Sequence, residues 1–317
     1  QVGGTDTSME ANGPQKLSEA QYWERVHSAG QSRARPAWKR FLRRWIPGSW
    51  LAARKRRWEK QQEKREREGL RAHWLYQLVE TLLRPQFTGR TGLKALEIGS
   101  APGRISVELW RRLNLEPWGV EYTKSGVAAQ KMIYRKWGLD ERLVMEADLF
   151  DDAWRSQHGE AYDLVASYGF IEHFDNPQEI LRMHLELLRP GGLLVVTVPN
   201  LHETTWYGRL VRRFNPAVYA IHNTQTCTTS TLRRMAQAFH LQLLHCGTLG
   251  GPALGFVPDR RRFGRLLAWS LGKWLPLANW LNHRVLGKRL KPFPRTATVL
   301  ALVAIKPSEN MCEKGIE

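Results

Sequence analysis

Four short stretches of this 317-residue chain place reactive side chains just where an apolar run ends. The first is the turn Glu97-Ile98-Gly99-Ser100-Ala101-Pro102-Gly103, which leads from a strand-like run into a helix-like one. Small residues in such a turn let backbone N–H groups come close to a ligand at a helix N-terminus. Glu121 closes the second apolar run, where a carboxylate can accept both hydroxyls of a ribose. Asp148 follows the third, where an acid can accept from the exocyclic amine of adenine. Glu172 and His173 follow the fourth. An ordinary imidazole titrates near ~6.5, which suits His173 to general-base work. An equally weighted reading makes Glu172 and His173 a hydrogen-bonding pair that fixes the loop beneath a bound ligand. Glu172 could also ligate a metal, but the sequence offers no clear second ligand, so no metal is expected.

These residues need a scaffold, and the periodicity supplies one. Apolar runs at 93–98, 118–122, 142–147, 162–168, 193–198, 241–247 and 296–305 read as strands. Helical patterns follow the first four, for example at 106–113 and 125–137. Alternation of this kind predicts an α/β fold with a doubly wound, mostly parallel seven-stranded sheet. Ligands then bind at the C-terminal edge of the strands, where all four stretches fall. Asp163, at the start of the fourth strand, is expected to be structural.

The charge is concentrated. The chain carries 48 Lys and Arg against 30 Asp and Glu, a formal net charge of +18. Residues 33–71 hold a net +11 and residues 259–291 a net +8, so the remainder is close to neutral. Half of the 14 tryptophans lie in these two segments. In 37–46, Trp38, Phe41, Leu42, Trp45 and Ile46 share one helical face opposite Lys39, Arg40, Arg43 and Arg44. A charged helix is expected to run on from Arg54 towards Leu83. Basic residues interleaved with Trp mark a surface for an anionic partner, a membrane face or a nucleic acid. Three cysteines without a CxxC pair suit a reducing compartment. The polar first fifteen residues lack the apolar core of a signal peptide, and 266–281 is too short and interrupted to span a bilayer.

Taken together, the turn, Glu121 and Asp148 resemble the class I S-adenosylmethionine-dependent methyltransferases, in the small-molecule branch that includes the ubiquinone-biosynthesis O-methyltransferases. Ile171–Pro177 and Leu188–Asn200 are also similar to that family. The resemblance covers about residues 90–248 and the last strand. It implies a Rossmann-like methyltransferase fold with S-adenosylmethionine as cofactor. Glu97, Gly99, Ser100, Ala101 and Gly103 would cradle its methionine part, Glu121 and Tyr122 its ribose, and Asp148 and Leu149 its adenine. Ser167 and Tyr168 would lie near the sulfonium. The usual GxGxG is here GSAPG, with Ala101 in place of the central glycine. Tyr22 and Trp23 resemble part of the N-terminal helix that closes such sites. With Trp206, Tyr207 and His222 they are the candidate acceptor-binding residues, and His173 and Glu172 the candidate catalytic ones.

The expected organisation is a helical, basic N-terminal extension (1–89), the methyltransferase core (90–248), a basic Trp-rich helical insertion (249–295) and a last strand with a tail (296–317). Both basic parts are expected to cap the acceptor entrance against an anionic membrane. That predicts a cytoplasmic, peripheral enzyme acting on a hydroxyl of an amphiphilic, lipid-linked or envelope-glycan molecule. The alternatives are an RNA methyltransferase and a non-catalytic scaffold. Nucleic acid is disfavoured, because Ser167-Tyr168-Gly169-Phe170 is not the Pro-Pro-aromatic signature of base-amine methyltransferases. Nothing in the sequence sets the oligomeric state.

Overall fold

The structure is a computed structural model that describes residues 14–18, 20–28, 73–251, 256, 274 and 297–308. The amphipathic segment 37–46, the helix start at 54–72 and nearly all of the 249–295 insertion lie outside the described residues.

Seven strands form one sheet: β1 (Lys94–Ile98), β2 (Glu116–Glu121), β3 (Val144–Glu146), β4 (Tyr162–Tyr168), β5 (Leu188–Pro199), β6 (Gln242–Leu249) and β7 (Val299–Ile305). Their order is β3-β2-β1-β4-β5-β7-β6, with β7 antiparallel to both neighbours and the pairs from β3 to β5 parallel. This is the doubly wound, seven-stranded sheet expected from the sequence. The central strands are mostly apolar because helices cover both faces. Along β4 and β5, alternate residues enter different cores. Val165, Leu194 and Val196 pack with Ile180 and Leu181 on one face, while Leu164, Leu193 and Val195 pack with Leu78, Leu83 and Leu109 on the other.

The helices are α1 (Ala20–Ser28), α2 (a helical run over 73–87), α3 (Arg104–Leu113), α4 (Lys124–Trp137), α5 (Asp152–Gln157), α6 (Pro177–Leu187), α7 (Trp206–Phe214), α8 (Pro216–Ala220) and α9 (Thr229–Ala238). Local sequence sets several of their starts. The side chains of Thr123, Asp151, Asn176 and Thr228 accept hydrogen bonds from first-turn N–H groups of α4, α5, α6 and α9. Gly138, at a φ of 70°, closes α4 in the left-handed region. The centre of α2, Gln77–Leu83, is π-helical, and the run ends at Phe87 beyond the expected Leu83.

Several strand boundaries differ from the sequence expectation, those of β3 and β5 for reasons the hydrogen bonds show. β3 is shorter because Asp140 accepts from the Arg142 N–H and winds Glu141–Leu143 into a 3-10 turn. β5 starts earlier, since Gly191 N–H donates to Lys306 O and carries the pairing past the end of β7. Asp163 is structural as expected: one oxygen accepts from Lys94 N–H and the other from Arg189 Nε, tying β1, β4 and β5 together.

The strand order reverses between β1 and β4, and the register sets Ile98 beside Val120 and Ser167. The carboxyl ends of β1, β2 and β4 therefore open into one crevice. β6 is parallel to β5, and Leu249 and Pro199 both pair with Val299. The chain thus leaves β6 and enters β7 on the crevice side.

Candidate functional site

The crevice holds a cavity of about 830 Å³, part of it open to solvent. Gly99, Ala101, Glu121, Tyr122, Asp148 and Leu149 line it, together with Tyr168 and His173. The turn after β1 is what lets it exist. Gly99 has a φ of +66°, and a Cβ there would lie 2.7 Å from the Phe170 ring. Gly103 has a φ of +81° and equally little room, 2.6 Å from Gln130. Both positions need glycine for conformation and for space.

Three sequence candidates support the turn from behind and do not line the cavity. Ser100 Oγ bonds Gln130 Oε1 at 2.5 Å. Glu97 is buried and accepts from Ser106 N–H at 2.9 Å and from the Ser106 hydroxyl. Burial pushes the Glu97 carboxyl up to about 8, opposed by those two hydrogen bonds. Gly103 ends the turn and starts α3.

Glu121 projects from the end of β2. Its Oε1 accepts from the Thr123 N–H at 2.9 Å and the Thr123 hydroxyl at 2.6 Å, which fixes the rotamer and leaves Oε2 for a ligand. Asp148 is half exposed; Oδ1 accepts from Phe150 N–H, and Oδ2 pairs with Lys16 Nζ at 2.8 Å. Lys16 Nζ also sits 4.7 Å from the Tyr122 ring centre and 4.9 Å from that of Phe150. Lys16 and Phe150 were not among the sequence candidates, and nothing in their spacing marks them. The Tyr168 hydroxyl and the Ser167 hydroxyl are buried without a hydrogen-bond partner.

The N-terminal segment crosses over the cavity. Leu17 N–H donates to His173 O at 2.8 Å, Asp175 N–H donates to Gln15 O while Gln15 N–H donates to Asp175 Oδ1, and Ser125 Oγ reaches Glu24 O in α1. Trp23 lines the cavity, held by its indole N–H on Ser18 Oγ, with its ring edge-on to His173 at 5.0 Å. Tyr22 packs against Trp23 and does not line the cavity.

The far wall corrects several expectations. His173 is buried, and desolvation pushes its imidazole down to about 3, with the neighbouring His222 adding to the shift. As a free imidazole at neutral pH it is a far weaker base than its ordinary pKa implies. Glu172 is fully buried and pushed up to about 8 by burial. The sequence offered no clear second candidate ligand beside Glu172, and the fold brings His222 there. His222 packs against His173 with ring centres 4.5 Å apart, and one ligand atom from each of Glu172, His173 and His222 lies within 4.8 Å of the others. Asn223 N–H on Glu172 O, at 2.6 Å, anchors the α8–α9 loop there. Trp206 is exposed and Tyr207 is core, so neither lines the cavity. Tyr207 acts indirectly: its hydroxyl accepts from Phe256 N–H at 3.0 Å, and the Phe256 ring stands 5.6 Å from His222.

A sheet of this order, with a glycine turn after its first strand and carboxylates at the next two strand ends, is a Rossmann-like fold built to hold a nucleoside-bearing cofactor. Residues 46–246 match the family defined as a methyltransferase domain. That is well over half of the sequence, and the chain belongs to this family. The ubiquinone biosynthesis O-methyltransferase of Cereibacter sphaeroides is 31% identical over 111 residues, which are 34% of this chain and 42% of that protein. Its namesake from Proteus mirabilis is 23% identical over 119 residues, 38% of this chain and 47% of its own length. The chain thus spans about half the length of the curated relatives it matches. A SAM-dependent methyltransferase from Archaeoglobus fulgidus is similar at 15% identity and a TM-score of 0.47, covering 75% of this chain and 96% of that one.

Proposed function

We propose that this protein is an S-adenosylmethionine-dependent methyltransferase that acts on a hydroxyl of an amphiphilic, lipid-linked or envelope-glycan molecule at the cytoplasmic face of a membrane. The observation that carries the cofactor assignment is the cavity itself. The glycine-only turn gives backbone access, Glu121 Oε2 suits a ribose diol, and the Tyr122–Asp148–Phe150 slot suits adenine.

When bound, the cofactor supplies a methyl group on a sulfonium. The chain's own part is to hold the acceptor oxygen in line with that methyl and to keep water out. Trp23, Phe170 and Phe174 give the cavity an apolar lining on the His173 side. With His173 held neutral by burial, proximity and alignment contribute more than proton abstraction by a lone imidazole.

The acceptor class rests on the two basic, Trp-rich segments. Each basic residue near an anionic bilayer contributes about 1 kcal/mol, so half of their net charge would suffice for firm attachment. The chain leaves β6 and enters β7 at the crevice edge, and Phe256 touches His222, which favours a role for the 249–295 insertion in admitting the acceptor. No helix among the described residues is long and apolar enough to cross a membrane.

Calorimetry with S-adenosylmethionine tests the cofactor. Micromolar binding that Glu121→Ala weakens at least tenfold supports it, and no binding by the parent overturns it in favour of a scaffold. Co-sedimentation with phosphatidylglycerol vesicles tests the surface. Replacing Trp38, Phe41, Arg43 and Arg44 should abolish it, whereas tight, salt-sensitive RNA binding without vesicle binding would replace the membrane with RNA.

A further inference from the structure

The group formed by Glu172, His173 and His222 has features that cofactor binding does not use. Both carboxylate oxygens of Glu172 are buried and lack any hydrogen-bond partner. Leaving a buried carboxylate unsatisfied is costly, and such a group normally has a counter-charge or a ligand. The two histidines are oriented by backbone. His173 Nδ1 lies 3.0 Å from Ile221 O, and His222 Nδ1 lies 2.6 Å from Val218 O. A carbonyl oxygen can only accept, so each Nδ1 carries the proton and each Nε2 keeps its lone pair. A backbone carbonyl on the other ring nitrogen is how metal-ligating histidines are commonly held.

We propose that Glu172, His173 and His222 form a binding site for a first-row divalent cation, with Zn(II) the best match. Two imidazoles and one carboxylate are a zinc ligand set that leaves a fourth position open. Ligand atoms around a tetrahedral zinc stand roughly 3.4 Å apart at bond lengths near 2.1 Å. The observed spacing of up to 4.8 Å needs only a modest closure. The group adjoins the cavity through His173, which lines it, and through Gly169, also on the cavity wall, whose missing side chain lies next to Glu172 Oε1. The Phe256 ring packs against His222 and the Trp23 ring against His173. An acceptor hydroxyl bound at the open position would be held by oxygen, and its pKa lowered, without a protein base. That use rests on the proposed methyl transfer; the binding site itself does not.

The test uses the full chain, free of any added histidine tag and stripped with a chelator. Zn(II) is titrated by calorimetry and Co(II) by visible absorption. Expected are one ion per chain, Co(II) d–d bands, and a Zn(II)-dependent rise in melting temperature. Glu172→Gln, nearly isosteric, and His222→Ala should each weaken ion binding by at least tenfold, with parent-like circular dichroism. Absence of stoichiometric uptake by the parent, or uptake unchanged in both variants, overturns the site. If His222→Ala does not fold, Glu172→Gln decides; if neither folds, absence of Co(II) bands in the parent overturns it. S-adenosylmethionine titrated into the same samples separates the two readings. Cofactor binding without metal uptake defeats only the metal site, and metal uptake without cofactor binding defeats only the cofactor.

Discussion

The two walls of the cavity are built on opposite plans. On the cofactor wall, the functional groups sit at consecutive strand ends and are already held by the protein. Glu121 is locked by Thr123, Glu97 by Ser106 and Asp148 by Phe150, each within nine residues in sequence. On the acceptor wall, Glu172, His173 and His222 come from two loops, and the two oxygens of Glu172 have no partner. A wall whose carboxylates are already oriented by the protein is preorganised for a fixed cofactor. A wall that keeps unsatisfied buried groups is waiting for an ion or a substrate to complete it. Substitutions on the first wall should therefore show in cofactor affinity, and those on the second in acceptor use or ion binding, with little crossover.

The largest expected effect is that of Gly99→Ala. The new Cβ would meet Phe170 at 2.7 Å, and the φ of +66° adds strain for any L side chain. Cofactor affinity by calorimetry should fall more than 30-fold and stability by about 1–3 kcal/mol in denaturant titration. Parent-like affinity would mean that the backbone approach at this turn is not what shapes the cofactor wall.

Next is the pH dependence of stability without ligands. Burial raises the Glu97 carboxyl to about 8, above its ordinary 4.5. Below the lower value both folded and unfolded chains are protonated. Between the two the unfolded chain ionises while the folded one stays protonated, so stability falls as pH rises, by up to about 1.4 kcal/mol per pH unit. Glu172 shifts in the same direction. Glu97→Gln should accordingly lessen the slope between pH 5 and 8 without abolishing it. An unchanged slope in urea titrations across that range would remove Glu97 as a cause.

Much of the cofactor wall is legible from sequence, and the reason is local. The turn, Glu121 and Asp148 are each one element end away from an apolar run, so finding the strands finds them. The acceptor wall depends on where loops pack. His222 reaches His173 only because α7 and α8 fold the chain back over the sheet edge and Asn223 N–H docks on Glu172 O. No periodicity encodes that. The nearest signal is the pair of polar, non-helical stretches after the fourth and fifth strands, each carrying a histidine. Lys16 and Phe256 were missed for the same reason, since both act through contacts made far from their own elements. Trp206 and Tyr207 were misplaced because an aromatic pair at the start of α7 splits between solvent and core, and neither side faces the cavity.

Tyr207→Phe probes whether the insertion belongs to the acceptor wall. It removes the hydroxyl that accepts from Phe256 N–H at 3.0 Å, worth about 1 kcal/mol. If Phe256 positions the acceptor beside His222, the variant should raise the acceptor KM about fivefold once an acceptor is found, and leave cofactor affinity unchanged. A change in cofactor affinity instead would mean that the two walls are coupled through α7.

Lys16 gives the smallest and most informative effect, because there a described residue of the chain itself occupies the cofactor wall. Its ammonium takes Asp148 Oδ2 and lies over the Tyr122 and Phe150 rings, in the slot assigned to adenine. The pair is partly exposed, at 34% and 43%, so it contributes only about 0.2–1 kcal/mol. If the lysine must leave before adenine enters, Lys16→Ala should tighten cofactor binding by up to about fivefold, and raising the salt should narrow the difference between variant and parent. If Lys16 instead stays and covers the bound base, the same variant should weaken binding by a similar factor. Calorimetry at two salt concentrations separates the outcomes, and a weakening would extend the preorganised wall to the N-terminal segment.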